Sequence, residues 1–213
     1  MHPLMEQAML MVDFIAVAAG NNCEVVLQDI ERQQIIKIAN SHVSKRKAGA
    51  PLTDFALKVL STGEWKHSNS ITNYRGVLPD GTQLRSSTFF IKDGDRLLGM
   101  LCINIDTTVY SQIITEISSL MGGSSYAAPA VNSAYHTETF HSSVGDIISE
   151  TIAEVFPGEN IHPSRFTQEE KMLIVQKLSS KGVFQLKSAI AEVARSLSCS
   201  EATIYRYLSK LGK

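Results

Sequence analysis

Residues 188–211 read SAIAEVARSLSCSEATIYRYLSKL, and this stretch decides the C-terminal fold. Ile190, Val193, Ala194 and Leu197 recur at helical spacing, which predicts a helix over residues 188–197. Ser198-Cys199-Ser200 leaves room only for a tight turn. Ser200 then caps a second helix whose inward face is Ile204, Tyr207 or Leu208, and Leu211. Two helices joined this closely make a helix-turn-helix, with small Ala194 at the crossing and Cys199 and Ile204 locking the second helix onto the first. Upstream, Thr167-Gln168-Glu169-Glu170 is a capping box that starts a helix reaching about Leu178, and residues 182–186 break it.

The second helix of such a motif enters the major groove of double-stranded DNA. Ser200, Glu201, Ala202, Thr203, Tyr205, Arg206 and Ser209 are the positions that face base edges and phosphates, while Lys187, Lys210 and Lys213 suit phosphates. Charge points the same way. Residues 163–213 hold 9 Lys/Arg against 4 Asp/Glu, whereas the preceding residues hold 11 against 17. An acidic body is thus joined to a basic module, whose expected partner is a polyanion. The competing explanation for the same features is a charged helical tail that docks protein.

The whole chain of 213 residues is 44% hydrophobic and 19% charged, the composition of a globular protein of one full domain and a small second one. Its most apolar N-terminal run, residues 14–19, is too short to span a bilayer, and no Lys or Arg precedes Arg32 to begin a secretory signal. A cytoplasmic protein without a membrane partner is expected. Cys23, Cys102 and Cys199 lie far apart, so neither a disulfide framework nor a zinc cluster is encoded. His136 and His141 lack a carboxylate or thiol set nearby and make poor metal ligands. No metal or cofactor is expected.

The N-terminal part opens with an amphipathic helix carrying Leu4, Ala8, Met11, Val12, Ile15 and Ala19, stopped at Gly20. Residues 23–27 and 34–39 are β-prone and separated by a polar connection, as in a hairpin. Thr53 caps a short helix with Phe55, Ala56, Val59 and Leu60 inward, ended by Gly63. Residues 65–78, 83–92 and 96–106 are three more strand candidates, separated by Pro79-Asp80-Gly81 and Asp93-Gly94-Asp95. The order predicts an α+β domain with a five-stranded antiparallel sheet, followed by a small all-α domain. A helix is expected over residues 108–121, because Val109, Ile113, Ile117 and Leu120 keep its period. The division expected is a sensor-like body over 1–121, a Gly/Ser-rich linker over 122–143, a connecting helix over 144–158 and the helix-turn-helix over 163–213.

Taken together, the chain resembles the YheO-like regulators, a bacterial family that includes the D-arginine utilization repressor. In the tail the likeness rests on Phe166-Thr167, Glu170-Lys171, Gly182-Val183-Phe184, Lys187, Val193-Ala194, Leu197, Ser200 and Thr203-Ile204-Tyr205-Arg206-Tyr207-Leu208. In the body it rests on Glu24-Val25-Val26-Leu27, Asn40-Ser41-His42-Val43-Ser44, Pro51-Leu52-Thr53-Asp54, Asn73-Tyr74, Ser86-Ser87-Thr88 and Leu101-Cys102-Ile103-Asn104-Ile105-Asp106. The resemblance implies a PAS-type sensor for the N-terminal sheet and a DNA-binding helix-turn-helix for the tail.

Polar residues within strands need partners when buried. Asn73, Ser86, Ser87, Thr88, Asn104 and Asp106 are such residues, and as the lining of a pocket they offer donors and an acid to a small polar metabolite such as an amino acid. Asn40, His42 and Arg46 lie in a loop over the sheet, where Arg46 is suited to clamp a carboxylate. Simple alternation, with half of each strand facing water, accounts for the same residues.

The expected function is therefore a ligand-responsive transcriptional regulator with no catalytic residues. Because one helix-turn-helix reads a half-site, a homodimer or higher homo-oligomer is expected. The alternative is a DNA-acting enzyme of the serine-recombinase type. Such an enzyme needs a nucleophilic Ser amid several Arg, and the nearest such cluster, Arg85 with Ser86 and Ser87, falls on a strand.

Overall fold

The structure, a computed structural model, describes residues 1–121, 137–141, 143–157 and 163–211. It opens with α1 (Pro3–Ala19), which begins with proline in its first turn and a His2 ring nitrogen accepting the Leu4 amide. Met5, Ala8, Val12 and Ala16 form its buried stripe. The strands β1 (Cys23–Asp29) and β2 (Gln34–Ala39) make the expected hairpin. Helix α2 (Asp54–Thr62) is capped by the Thr53 hydroxyl and ends on Gly63 in the left-handed region at φ 70°.

Three long strands follow, β3 (Ser70–Val77), β4 (Gln83–Asp93) and β5 (Arg96–Asp106), then the exposed helix α3 (Thr108–Leu120). The β3 strand is shorter than its sequence run. Residues 64–66 form a 3-10 turn instead, leaving Trp65 outside the sheet. A short strand, β6 (Thr137–Thr139), and helix α4 (Val144–Val155) lead into the C-terminal helices.

The sheet order is β2-β1-β5-β4-β3-β6. It corrects the expectation of five antiparallel strands, because the described residues contain six and the sixth pairs parallel to β3, with Arg75 opposite Thr137, Gly76 opposite Glu138 and Val77 opposite Thr139. Three residues carry no readable period, and β6 finds its partner some sixty positions earlier in the chain, so nothing local announces it. The remaining strand pairs are antiparallel.

Strand alternation gives the sheet two different faces. Cys23, Val25, Leu27, Ile91 and Leu101 meet the stripe of α1 in one apolar cluster. The other face bears Val26, Tyr74, Phe90, Met100 and Cys102, and it shares a continuous core with α2, α4 and the C-terminal helices. Tyr74 stacks on Phe55 of α2 with ring centroids 4.2 Å apart. At the β6 edge, Gly76 has no side chain for a physical reason. A Cβ there would lie 2.8 Å from the Phe140 ring and 2.8 Å from Ser86 Oγ.

The C-terminal helices are α5 (Gln168–Ser180), α6 (Ala189–Ser196) and α7 (Glu201–Leu211). The capping box is formed as expected, with the Thr167 amide donating to Glu170 at 2.7 Å and the Glu170 amide to the Thr167 hydroxyl at 3.3 Å. Between α6 and α7 the chain reverses through Ser198 at φ 49°, and the Cys199 amide donates to the Ala194 carbonyl at 2.9 Å. No helix among the described residues is long and apolar enough to cross a membrane.

Candidate functional site

Helix α7 divides cleanly by face. Ile204 and Tyr207 are buried against α5 and α6, and Leu208 and Leu211 pack partly beside them. Glu201, Ala202, Tyr205, Arg206, Ser209 and Lys210 are exposed on the opposite face, with Thr203 half-buried between the two. Ser200 is exposed, yet its hydroxyl is engaged. It accepts the Thr203 amide at 3.3 Å and lies 3.0 Å from the Thr203 hydroxyl, so it caps the helix as its spacing predicts. The Arg206 guanidinium is 5.8 Å from the Tyr207 ring, which steadies its stem while leaving its donors outward.

Lys187 is placed differently from the other basic candidates. Its ammonium donates to the Glu31 carbonyl at 2.9 Å and its amide to the Gln33 side chain at 2.7 Å, while Gln33 Nε2 donates back to the Gln185 carbonyl. The turn between β1 and β2 therefore grips the entry to α6. Lys213 lies outside the described residues, as does His136.

In the N-terminal body the face of the sheet turned toward α2 carries a buried polar network. Glu24 of β1 accepts the Ser44 amide at 3.1 Å, the Ser44 hydroxyl at 2.5 Å and Asn104 Nδ2 at 3.0 Å. Ser86 donates to Asn104 Oδ1 at 2.9 Å. Nearer the β6 edge, Glu138 accepts the hydroxyls of Thr53 at 2.6 Å and Tyr74 at 3.1 Å. The Tyr74 and Thr88 oxygens lie 2.9 Å apart, and Thr88 donates to Cys102 Sγ at 3.2 Å.

Arg46 reaches this network from the loop above. It is only 2% exposed, it donates to the Pro51 carbonyl, and its Nε has no partner. Among the described residues no carboxylate approaches it within ion-pair distance. Burial lowers its guanidinium from the usual range, and the fields of Glu138 and Glu24 oppose that shift. Burial also raises the Glu138 carboxyl to about 7, the Thr53 hydroxyl pulling the other way, and pushes the Cys102 thiol up to about 12.

Of the residues singled out from sequence, the structure brings Arg46, Ser86, Thr88 and Asn104 together. It does not bring the others there. Ser87 has the opposite strand parity and accepts the Asn73 amide, while Asn73 is exposed and takes Arg85 Nη1 on its side chain. Asn40 donates to the Gly20 and Cys23 carbonyls and fixes the loop. His42 and Asp106 share a shallow surface depression of about 400 Å³ with Lys45 and Asp80, and Asp106 accepts the Thr108 amide at the start of α3.

Glu24, Ser44, Thr53, Tyr74 and Glu138 were missed. A carboxylate inside the apolar run of residues 23–27 was a legible signal for Glu24. Glu138 had none, because its burial depends on β6. His141 also gained a role only in three dimensions. It is buried and pairs with Glu150 of α4 at 3.2 Å, and burial lowers its imidazole despite that carboxylate.

Comparison with known proteins matches residues 1–122 to the family model described as a YheO-like PAS domain, and residues 147–209 to a helix-turn-helix domain model. The Escherichia coli K12 protein YheO, described as uncharacterized, is 31% identical over 201 residues, covering 92% of this chain and 80% of that protein. An uncharacterized protein of Haemophilus influenzae is 30% identical over 204 residues, covering 94% and 87%.

Proposed function

Since the chain belongs to the YheO-like PAS family, we propose that it is a ligand-responsive DNA-binding transcriptional regulator, with a sensor over residues 1–121 and a DNA-reading module over 163–213. The observation that carries this is the outward row of α7. Ile204 and Tyr207 hold the helix down while Glu201, Ala202, Tyr205, Arg206 and Ser209 stand free to meet base edges, with Lys210 beside them for phosphate. The module works as a homodimer or higher homo-oligomer on half-sites ~34 Å apart. No catalytic residue takes part.

The sensed molecule is a small polar metabolite, amino-acid-like in its hydrogen bonding. The buried network of Ser86, Thr88 and Asn104 under Arg46 supports this, since a guanidinium buried without a carboxylate partner is costly unless an anion approaches it. Asn40 positions the loop that carries Arg46. His42, Asn73, Ser87 and Asp106 stand outside this buried network and take no part in it.

A binding series tests the output. Arg206→Ala should weaken binding to the operator far more than to random duplex, whereas Lys210→Ala should weaken both alike and lower the salt slope by about one. Equal losses on specific and random DNA for both variants would remove α7 as the reading helix.

A further inference from the structure

We propose that β6 is a displaceable occupant of the sensor, its Glu138 carboxylate standing where the carboxylate of a small-molecule ligand binds. The inference rests on the sensor reading above and assigns the ligand's chemical class and the chain segment it moves.

Four observations carry it. Glu138 is a strand residue on the edge of the sheet, yet its side chain is only 1% exposed and is received by two hydroxyls from different elements, Thr53 at the cap of α2 and Tyr74 on β3. That is a two-donor seat for a carboxylate, backed by Thr88 behind Tyr74. Arg46, buried with an orphaned Nε, lies close enough to feel the Glu138 charge without pairing to it. A carboxylate free of the β6 backbone can satisfy the hydroxyls and approach Arg46, which the tethered one does not.

The holding of β6 is also light. It joins the sheet by three residues at one edge, with Phe140 in a small satellite cluster formed with Val43, Leu78 and Leu84 rather than in either large core. The Thr139 amide on Asp54 at 2.8 Å is its further tie to α2. Burial raises the Glu138 carboxyl to about 7, so the tethered carboxylate readily gives up its charge to a proton near neutral pH.

The location gives displacement a consequence. Phe140, His141 and the Ser143 cap connect β6 directly to α4, and α4 packs on α5 and α6 of the helix-turn-helix. A ligand that takes the seat therefore moves the chain leading to the DNA-reading module, and its differential affinity for the two arrangements sets the response.

The full-length protein tests this with acetate as probe. Glu138→Ala removes the carbon skeleton of acetate, and Phe140→Ala loosens β6 while leaving every carboxylate contact intact. Acetate, but not the neutral isostere acetamide, should raise the melting temperature of both variants and bind each at least about tenfold more tightly than wild type. Hydrogen exchange should show residues 137–141 of the wild type losing protection when acetate is bound.

Three results would overturn the proposal: acetate and acetamide acting alike, neither variant binding acetate more tightly than wild type, or residues 137–141 staying equally protected in acetate-bound wild type. A wild type stabilised by uncharged metabolites with residues 137–141 undisturbed would keep the sensor reading and remove this inference. Failure of the sensor reading itself shows elsewhere, as operator affinity that no metabolite changes.

Discussion

Replacing Glu138 by Gln should flatten the pH dependence of stability between pH 4.5 and 7. The carboxyl rises from an ordinary 4.5 to about 7 on folding because burial disfavours its charge more than the Thr53 and Tyr74 hydroxyls and Arg46 restore, and the neighbouring Asp54 adds to the rise. Between those values the native chain binds a proton that the unfolded chain does not, so this group destabilises the fold progressively as pH climbs through the window. Below pH 4.5 both states are protonated and the penalty vanishes, while above 7 it is complete. At ~1.4 kcal/mol for each tenfold change in proton affinity, the full swing is roughly 3 kcal/mol. His141 acts in the opposite direction, because its lowered imidazole loses stability as pH falls, so wild type alone does not isolate Glu138. The assay is urea unfolding of wild type and Glu138→Gln at pH 5 and pH 8, compared as a difference of differences. The variant should gain ~2 to 3 kcal/mol relative to wild type at pH 8 over pH 5, a little less than the full swing because the unfolded carboxyl is already largely ionised at pH 5. Parallel curves for the two proteins would refute a charged, buried Glu138.

Gly76→Ala should destabilise by ~1 to 3 kcal/mol through overpacking against Phe140 and Ser86, and the part of that loss due to the ring should disappear in a Phe140→Ala background, measured as a double-mutant cycle by urea unfolding. Gln33→Ala removes the side chain that bonds residues 185 and 187, so Lys187 should become freer and random-duplex affinity should rise severalfold by fluorescence anisotropy. Cys102 should resist thiol reagents in the native protein and react only on unfolding, because burial holds its thiol at about 12.

What was legible in the chain was whatever local chemistry encodes. Thr167 with Glu170, Thr53 before the short helix, and Gly63 after it all act within one turn, and each appears where its spacing puts it. The outer row of α7 was readable because its buried partners keep the helical period. The sensor lining was only half readable. Ser86, Thr88 and Asn104 share a strand parity that places them together, but Ser87 and Asn73 lie in the same short runs on the wrong side. Parity of β3 is further disturbed by the register shift between Ile71 and Tyr74, so counting along that strand misplaces Asn73. Glu138 and Tyr74 meet across sixty-four positions of chain, and no local pattern contains that separation.

The parallel seating of β6 on β3 also constrains the kind of motion open to it. Side chains alternate along a strand, so a slip of one residue would turn Glu138 out of its seat. A slip of two restores the parity but carries the carboxylate ~7 Å along β3, out of reach of the Thr53 and Tyr74 hydroxyls. No intermediate position along the β3 edge keeps both the backbone ladder and the carboxylate satisfied. Whatever acts on this edge consequently meets an element with one stable register and its absence, a discrete latch rather than a sliding gauge.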